Sequence, residues 1–102
     1  MNKLIRNGQV AVLVSPGYGA GWSSWNTEKE ELLFDPSIVE LVEHNKWEEL
    51  EMFVKLKYPN IYTGGMRDLE VKWLPVGTEF DIKEYDGAET LEIKDDIIWY
   101  KA

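Results

Sequence analysis

The chain has 102 residues, 44% of them hydrophobic, no cysteine and a formal charge of −8. This size fits a single domain, residues 1–102, with a real core, and the apolar content excludes a disordered chain. Without cysteine, disulfides and thiolate metal sites are excluded; the acidic balance excludes DNA or RNA polymers held by general phosphate neutralisation, but not a small anion held locally.

No apolar run approaches the length of a membrane span, so no membrane association and a cytoplasmic location are expected. Five Trp and five Tyr are an unusual load for this length. Cores, interfaces and base-stacking sites all use such residues.

The first strand is expected at Gln9 to Ser15. Val10, Val12 and Val14 face one way, Ala11 and Leu13 the other. Both faces are apolar, which places this strand inside a sheet. The next segment, Ser15 to Asn26, reads SPGYGAGWSSWN, and its three glycines and one proline rule out a regular element across Pro16 to Gly21. Asn26 or Thr27 is positioned to cap a short helical turn through Glu28, Glu30 and Glu31. Asp35-Pro36 starts a helix, with Asp35 as N-cap and Pro36 at the first position. Ile38, Val39, Leu41 and Val42 form its inward stripe. Asn45 and Glu48 have the spacing of a capping box for a second helix, which Pro59 ends. A helical hairpin results.

After a second glycine-containing loop, Pro59 to Asp68, the period becomes two. Leu69, Val71 and Trp73 alternate with charge, as do Phe80 and Ile82, then Leu91 and Ile93. Asp86-Gly87 is a hairpin turn signal, and Ile97 to Tyr100 supplies a last strand. The expected fold is α+β: a buried N-terminal strand, a helical hairpin, then a C-terminal antiparallel β-meander. Val12, Leu13, Phe53, Val71 and Ile82 are expected in the core.

Two loops carry the candidate chemistry. Gly17, Gly19 and Gly21 follow a strand, yet Trp22 stands where a dinucleotide fingerprint needs glycine, and no Gly-Lys-Ser/Thr ending is present. A tight structural loop is the plain alternative. The functional reading takes the loop amides as phosphate donors, with Tyr18, Trp22 and Trp25 as stacking faces and Ser23 and Asn26 as polar partners. In the second loop, Arg67 is suited to clamp a phosphate beside Thr63 and the Gly64-Gly65 amides. A salt bridge to one of the 19 acidic residues is the competing fate of Arg67. The expected ligand site is thus Tyr18, Gly19, Trp22, Ser23, Trp25, Asn26, Thr63 and Arg67. The same aromatics suit a protein interface.

Enzyme templates fit poorly. His44 is the only histidine and falls near a helix C-terminus, where a cation is favourable. No Ser-His-Asp set and no metal-ligand cluster can be assembled, so no catalytic residue, metal or cofactor is assigned. The carboxylate pairs Glu30-Glu31, Glu48-Glu49 and Asp95-Asp96 read as solvated faces.

The stretch VLVSPGYGAGWSSWN, Val12 to Asn26, resembles a family of small bacteriophage and prophage proteins. The segments Leu33 to Pro36, Tyr62 to Gly65 and Asp68 to Val71 fit the same resemblance. By class, the resemblance implies an anti-defence protein in the infected bacterial cytoplasm, of the kind that sequesters a cyclic nucleotide immune signal without cleaving it. It assigns no residue. The alternatives are an inhibitor that binds a host protein and a small enzyme of unidentified chemistry. A homo-oligomer built from a symmetric dimer is expected, because many aromatics lie outside the core stripes.

Overall fold

Asn7 and Gly8 both take positive φ, 53° and 76°. A two-residue loop of this kind matches the right-handed twist of a strand pair. It joins β1 (Ile5–Arg6) to β2 (Gln9–Val14), with Arg6 opposite Gln9. The computed structural model describes residues 2–19 and 21–94. On its other side β2 pairs antiparallel with β3 (Glu70–Pro75), from Gln9 opposite Pro75 to Val14 opposite Glu70. The sheet order is β1-β2-β3, which puts β2 in the centre, as its apolar run demands.

The two faces of β2 feed two separate cores. Ala11 and Leu13 pack with α1 (Pro36–Glu43) and α2 (Trp47–Lys57) through Ile38, Val39, Leu50 and Val54. Val12 and Val14 pack on the opposite face with Phe34 and Leu74, joined by Phe80, Ile82, Leu91 and Ile93. These last four belong to β4 (Phe80–Tyr85) and β5 (Ala88–Ile93), a second antiparallel sheet. The layers are therefore helices, three-stranded sheet, two-stranded hairpin. Each fully buried Val or Leu of β2 contributes roughly 1.5–3 kcal/mol relative to exposure.

The α+β class and the order of elements agree with the expectation. Within the C-terminal half, β3 leaves its sequence neighbour and joins β2, while β4 and β5 cross to the second face. A strand apolar on both sides needs cover on both sides, and the helices supply only one. The turn after β3 makes the crossing: Thr78 donates to the Pro75 carbonyl at 3.1 Å and Gly77 sits at φ 88°. Asp86 and Gly87 form the β4–β5 turn with φ 49° and 84°. Val12 and Leu13 are fully buried, whereas Phe53, Val71 and Ile82 lie half-buried at the core margins. The expected strand at Ile97 to Tyr100 lies outside the described residues.

Asp35 caps α1 by accepting the Ser37 amide at 2.9 Å, with Pro36 at the first position. Asn45 does not cap α2. It takes φ 55° and ends α1 instead: its amide reaches the Val42 carbonyl at 3.1 Å, and the Lys46 amide reaches Leu41 at 2.9 Å. That pair of bonds is a Schellman closure, which favours a residue tolerant of the left-handed region. The capping-box expectation is corrected accordingly; α2 starts after Lys46 with no side-chain cap. The short turn before α1 is a 3-10 helix at Glu30–Leu33 that starts after Lys29 with no side-chain cap, so neither Asn26 nor Thr27 caps it. Among the described residues no helix is long and apolar enough to cross a membrane.

Candidate functional site

The glycine loop is organised around a buried carboxylate that the sequence reading did not single out. Glu89 of β5 is 2% exposed. Its Oε1 accepts the Ser15 amide at 2.9 Å. Its Oε2 accepts the amides of Trp22 and Ser24, each at 2.9 Å, and the Ser24 hydroxyl at 2.5 Å. The Glu89 amide in turn donates to the Ser15 carbonyl. A Cβ on Gly21 would lie 2.5 Å from Ser24 Oγ and 3.2 Å from Glu89 Oε2, so glycine there permits the close approach. The Gly19 amide bonds the Asp86 carbonyl at 2.8 Å. The Ser15, Gly19, Trp22 and Ser24 amides are thus spent internally, and the protein's own carboxylate takes the anion position for three of them. In strand parity, Glu89 shares a face with Leu91 and Ile93. An acidic residue on an inward alternation was the available signal.

Trp22 is also corrected. It is fully buried, belongs to the helix-side core and donates its indole N–H to the Leu32 carbonyl at 2.7 Å. It has no face left for a base. Trp25 is 40% exposed and meets Tyr62 edge-to-face at 6.1 Å. Asn26 is a bracket between the loops: its Nδ2 donates to Trp22 and Tyr62 carbonyls, and its Oδ1 accepts the Tyr62 amide at 2.9 Å. The two candidate loops therefore do come together, and Ser15 Oγ adds a bond to the Gly65 carbonyl at 2.8 Å.

Arg67 departs from this group. Its guanidinium binds Glu51 of α2 through Nε at 2.9 Å and through NH2. With Thr63, Gly64 and Lys55 it borders a shallow depression that holds neither Trp25 nor Asn26. The salt-bridge fate is the one adopted. Tyr18, 79% exposed, sits on the loop crest beside the β4–β5 turn.

A cleft of about 670 Å³ lies between residues 23–34 and β4. Ser23, Ser24, Asn26 and Thr27 form one wall; Leu33, Phe34, Phe80 and Ile82 supply its apolar surface. Phe34 and Phe80 meet edge-to-face at 6.1 Å. Lys3, Lys29 and Lys94 border it together with Glu30, Glu79 and Asp81. Lys94 pairs with Glu79 at 2.9 Å, and Lys3 lies 4.5 Å over the Phe34 ring. Lys3 and Lys29 make no ion pair among the described residues. On a chain of −8 this rim is locally balanced. Of the expected site residues, it contains Ser23 and Asn26.

A second polar cluster joins the helices. Asp35 accepts Lys57 Nζ at 2.8 Å and the Tyr58 hydroxyl at 2.6 Å. Burial pushes the Asp35 carboxyl up, but Lys57, Tyr58 and the Ser37 amide outweigh it and hold the group below its ordinary value. Burial, then the bond to Asp35, raises the Tyr58 phenol far above its ordinary value. A phenol so held is a structural donor, not a nucleophile. Among the described residues no carboxylate or histidine cluster is arranged to hold a metal. Comparison with protein-family models, with curated proteins and with solved structures gives no match.

Proposed function

We propose that the chain is a non-catalytic phage anti-defence protein that binds and sequesters a small anionic nucleotide, a cyclic oligonucleotide of host immunity. The binding place is the cleft between residues 23–34 and β4. One observation carries this reading: on a chain with a charge of −8, Lys3, Lys29 and Lys94 offset Glu30, Glu79 and Asp81 around this cleft, and Lys3 and Lys29 form no ion pair among the described residues. Its volume falls within the range of small-molecule sites, about 300–1,000 Å³. Leu33 and Phe80, both half-buried, offer apolar surface to a base, and hydroxyls of Ser23 and Thr27 offer hydrogen bonds to sugar or phosphate. The site differs from the one expected from sequence, since Trp22 and Arg67 are committed elsewhere.

The test is titration with a panel of cyclic di- and trinucleotides, followed by heat release and chromatography. Stoichiometric binding with intact ligand recovered supports the proposal. Absence of binding to every member, or recovery of a cleaved product, contradicts it.

A second reading has its own observation. Tyr18 and Tyr85 are 79% and 73% exposed, and the Gly19–Asp86 bond joins their segments. Trp25 and Tyr62 lie exposed as well. Glu84 and Asp86 adjoin them; the Gly87 amide and then the Trp25 indole hold the Glu84 carboxyl below its ordinary value. Aromatics rimmed by carboxylates suit an inhibitor that docks on a basic host protein. Tyr18→Ala combined with Tyr85→Ala separates the readings: it abolishes inhibitor binding and leaves nucleotide binding in the cleft intact.

A further inference from the structure

Among the described residues, strand β3 ends the three-stranded sheet, with β2 as its one paired neighbour. Val76 donates its amide to the Gly8 carbonyl at 2.9 Å, just beyond the last ladder pair, Gln9 opposite Pro75. In an antiparallel ladder the residues of one parity turn both backbone groups toward the partner. Glu70, Lys72 and Leu74 therefore bond β2, and Val71 and Trp73 turn their N–H and C=O groups outward. Among the described residues these outward groups have no hydrogen-bond partner. Pro75, which has no N–H, closes the edge at one end, a position that proline tolerates.

The edge reads as its own complement. In the run Leu69-Glu70-Val71-Lys72-Trp73, antiparallel pairing of two copies about Val71 sets Glu70 opposite Lys72 of the second copy, and Lys72 opposite its Glu70. Val71 meets Val71, and Trp73 meets Leu69. The odd positions supply the backbone bonds: Val71 reciprocally with Val71, and the Trp73 amide with the Leu69 carbonyl. The even positions become non-hydrogen-bonded pairs, where facing side chains stand closest. Glu70 and Lys72 already pair along the strand at 3.1 Å, both side chains half exposed, so their charges are available on that face. Val71 and Trp73 are only half-buried and gain cover.

We propose that β3 is the contact strand of a symmetric homodimer, in which two copies form one continuous sheet across a two-fold axis at Val71. The occupant of the edge is a second copy of this chain. The surface lies on a different element from the proposed nucleotide cleft, and neither proposal depends on the other.

Sedimentation velocity on the full chain tests this, with charge-reversed variants checked for folding by circular dichroism. The wild type is expected to sediment at twice the chain mass. Glu70→Lys alone and Lys72→Glu alone each face like charges and weaken the dimer on the order of tenfold or more. An equimolar mixture of the two single variants restores it, because each then meets its opposite. Val71→Pro removes an outward N–H without touching the β2 ladder, and yields a folded monomer. A dimer that survives both single charge reversals, or a mixture that stays monomeric, overturns the proposal. So does a monomeric wild type. In that case amide exchange at Val71 and Trp73 identifies the alternative: protection assigns the edge to the chain's own C-terminal residues, and fast exchange leaves it open to another protein.

Discussion

Glu89 Oε2 accepts the Trp22 amide at 2.9 Å across 67 positions of chain. The bond ties the glycine loop to β5, and the same carboxylate holds Ser15 and Ser24. Replacing Glu89 by Ala leaves the Ser15 and Trp22 amides unpaired in a buried site and the Ser24 amide unpaired at its part-buried margin. Each unpaired buried donor costs about 1–3 kcal/mol, so a loss of about 3 kcal/mol or more is expected. Urea unfolding measures it. A variant within about 0.5 kcal/mol of wild type would show that the loop is held by something else.

Trp22 and Tyr18 separate core from surface within one loop. Trp22→Ala removes a fully buried ring and its bond to Leu32, and should cost about 3–5 kcal/mol. Tyr18→Ala should stay within about 0.5 kcal/mol, as for other exposed positions. Thermal melts of both variants check the pair; equal melting temperatures would contradict the assignment of Trp22 to the core.

Asp35 predicts an acid limb in the stability curve. Its carboxyl titrates below the ordinary value of 3.8 when folded, so the folded state binds its proton less readily than the unfolded chain. The stabilisation is present above pH 3.8 and is lost as pH falls through the lower folded value. Asp35→Asn keeps the helix cap but loses the charge bonded to Lys57 and Tyr58. The wild type should therefore exceed the variant near neutral pH, and the gap should narrow below pH 3.8. A gap independent of pH would show that the carboxylate charge contributes nothing.

Arg67→Ala tests the displaced half of the sequence-based site. The Arg67–Glu51 pair is exposed, and such pairs contribute about 0–1 kcal/mol. Melting should change little, and nucleotide binding in the cleft should persist. Loss of binding with normal melting would return Arg67 to the site.

Much of the fold was legible where the signal is local. The opposed apolar sets of β2, the Asp35-Pro36 start and the Asp86-Gly87 turn each rest on a few adjacent residues. Asn7-Gly8 carries the same hairpin signal, but the strand before it has two residues and no apolar alternation to mark it. Asn45 was ambiguous because asparagine suits both a helix start and a left-handed helix end. The pairing of β3 with β2 spans the helical hairpin, and no local pattern specifies a partner at that distance. The site was less legible for the same reason. Trp22 sits among glycines and serines, so nothing in its neighbours announces burial; Leu32 and Glu89, which bury it, come from other segments.

The most direct measurement for the proposed function is calorimetric titration of cyclic oligonucleotides into the wild type and a Lys3→Glu, Lys29→Glu variant. Both lysines border the cleft and form no ion pair among the described residues, so the variant should lose only the exposed Lys3–Phe34 cation–π contact, about 0.5–1 kcal/mol, and stay folded. Each lost charge-assisted contact is worth about 1.5–3 kcal/mol, which predicts at least tenfold weaker binding per lysine. Stoichiometric binding by the wild type, sharply weakened in the variant, is the predicted result. Equal binding by both proteins would place the ligand outside the cleft, and no binding by either would contradict the nucleotide reading itself.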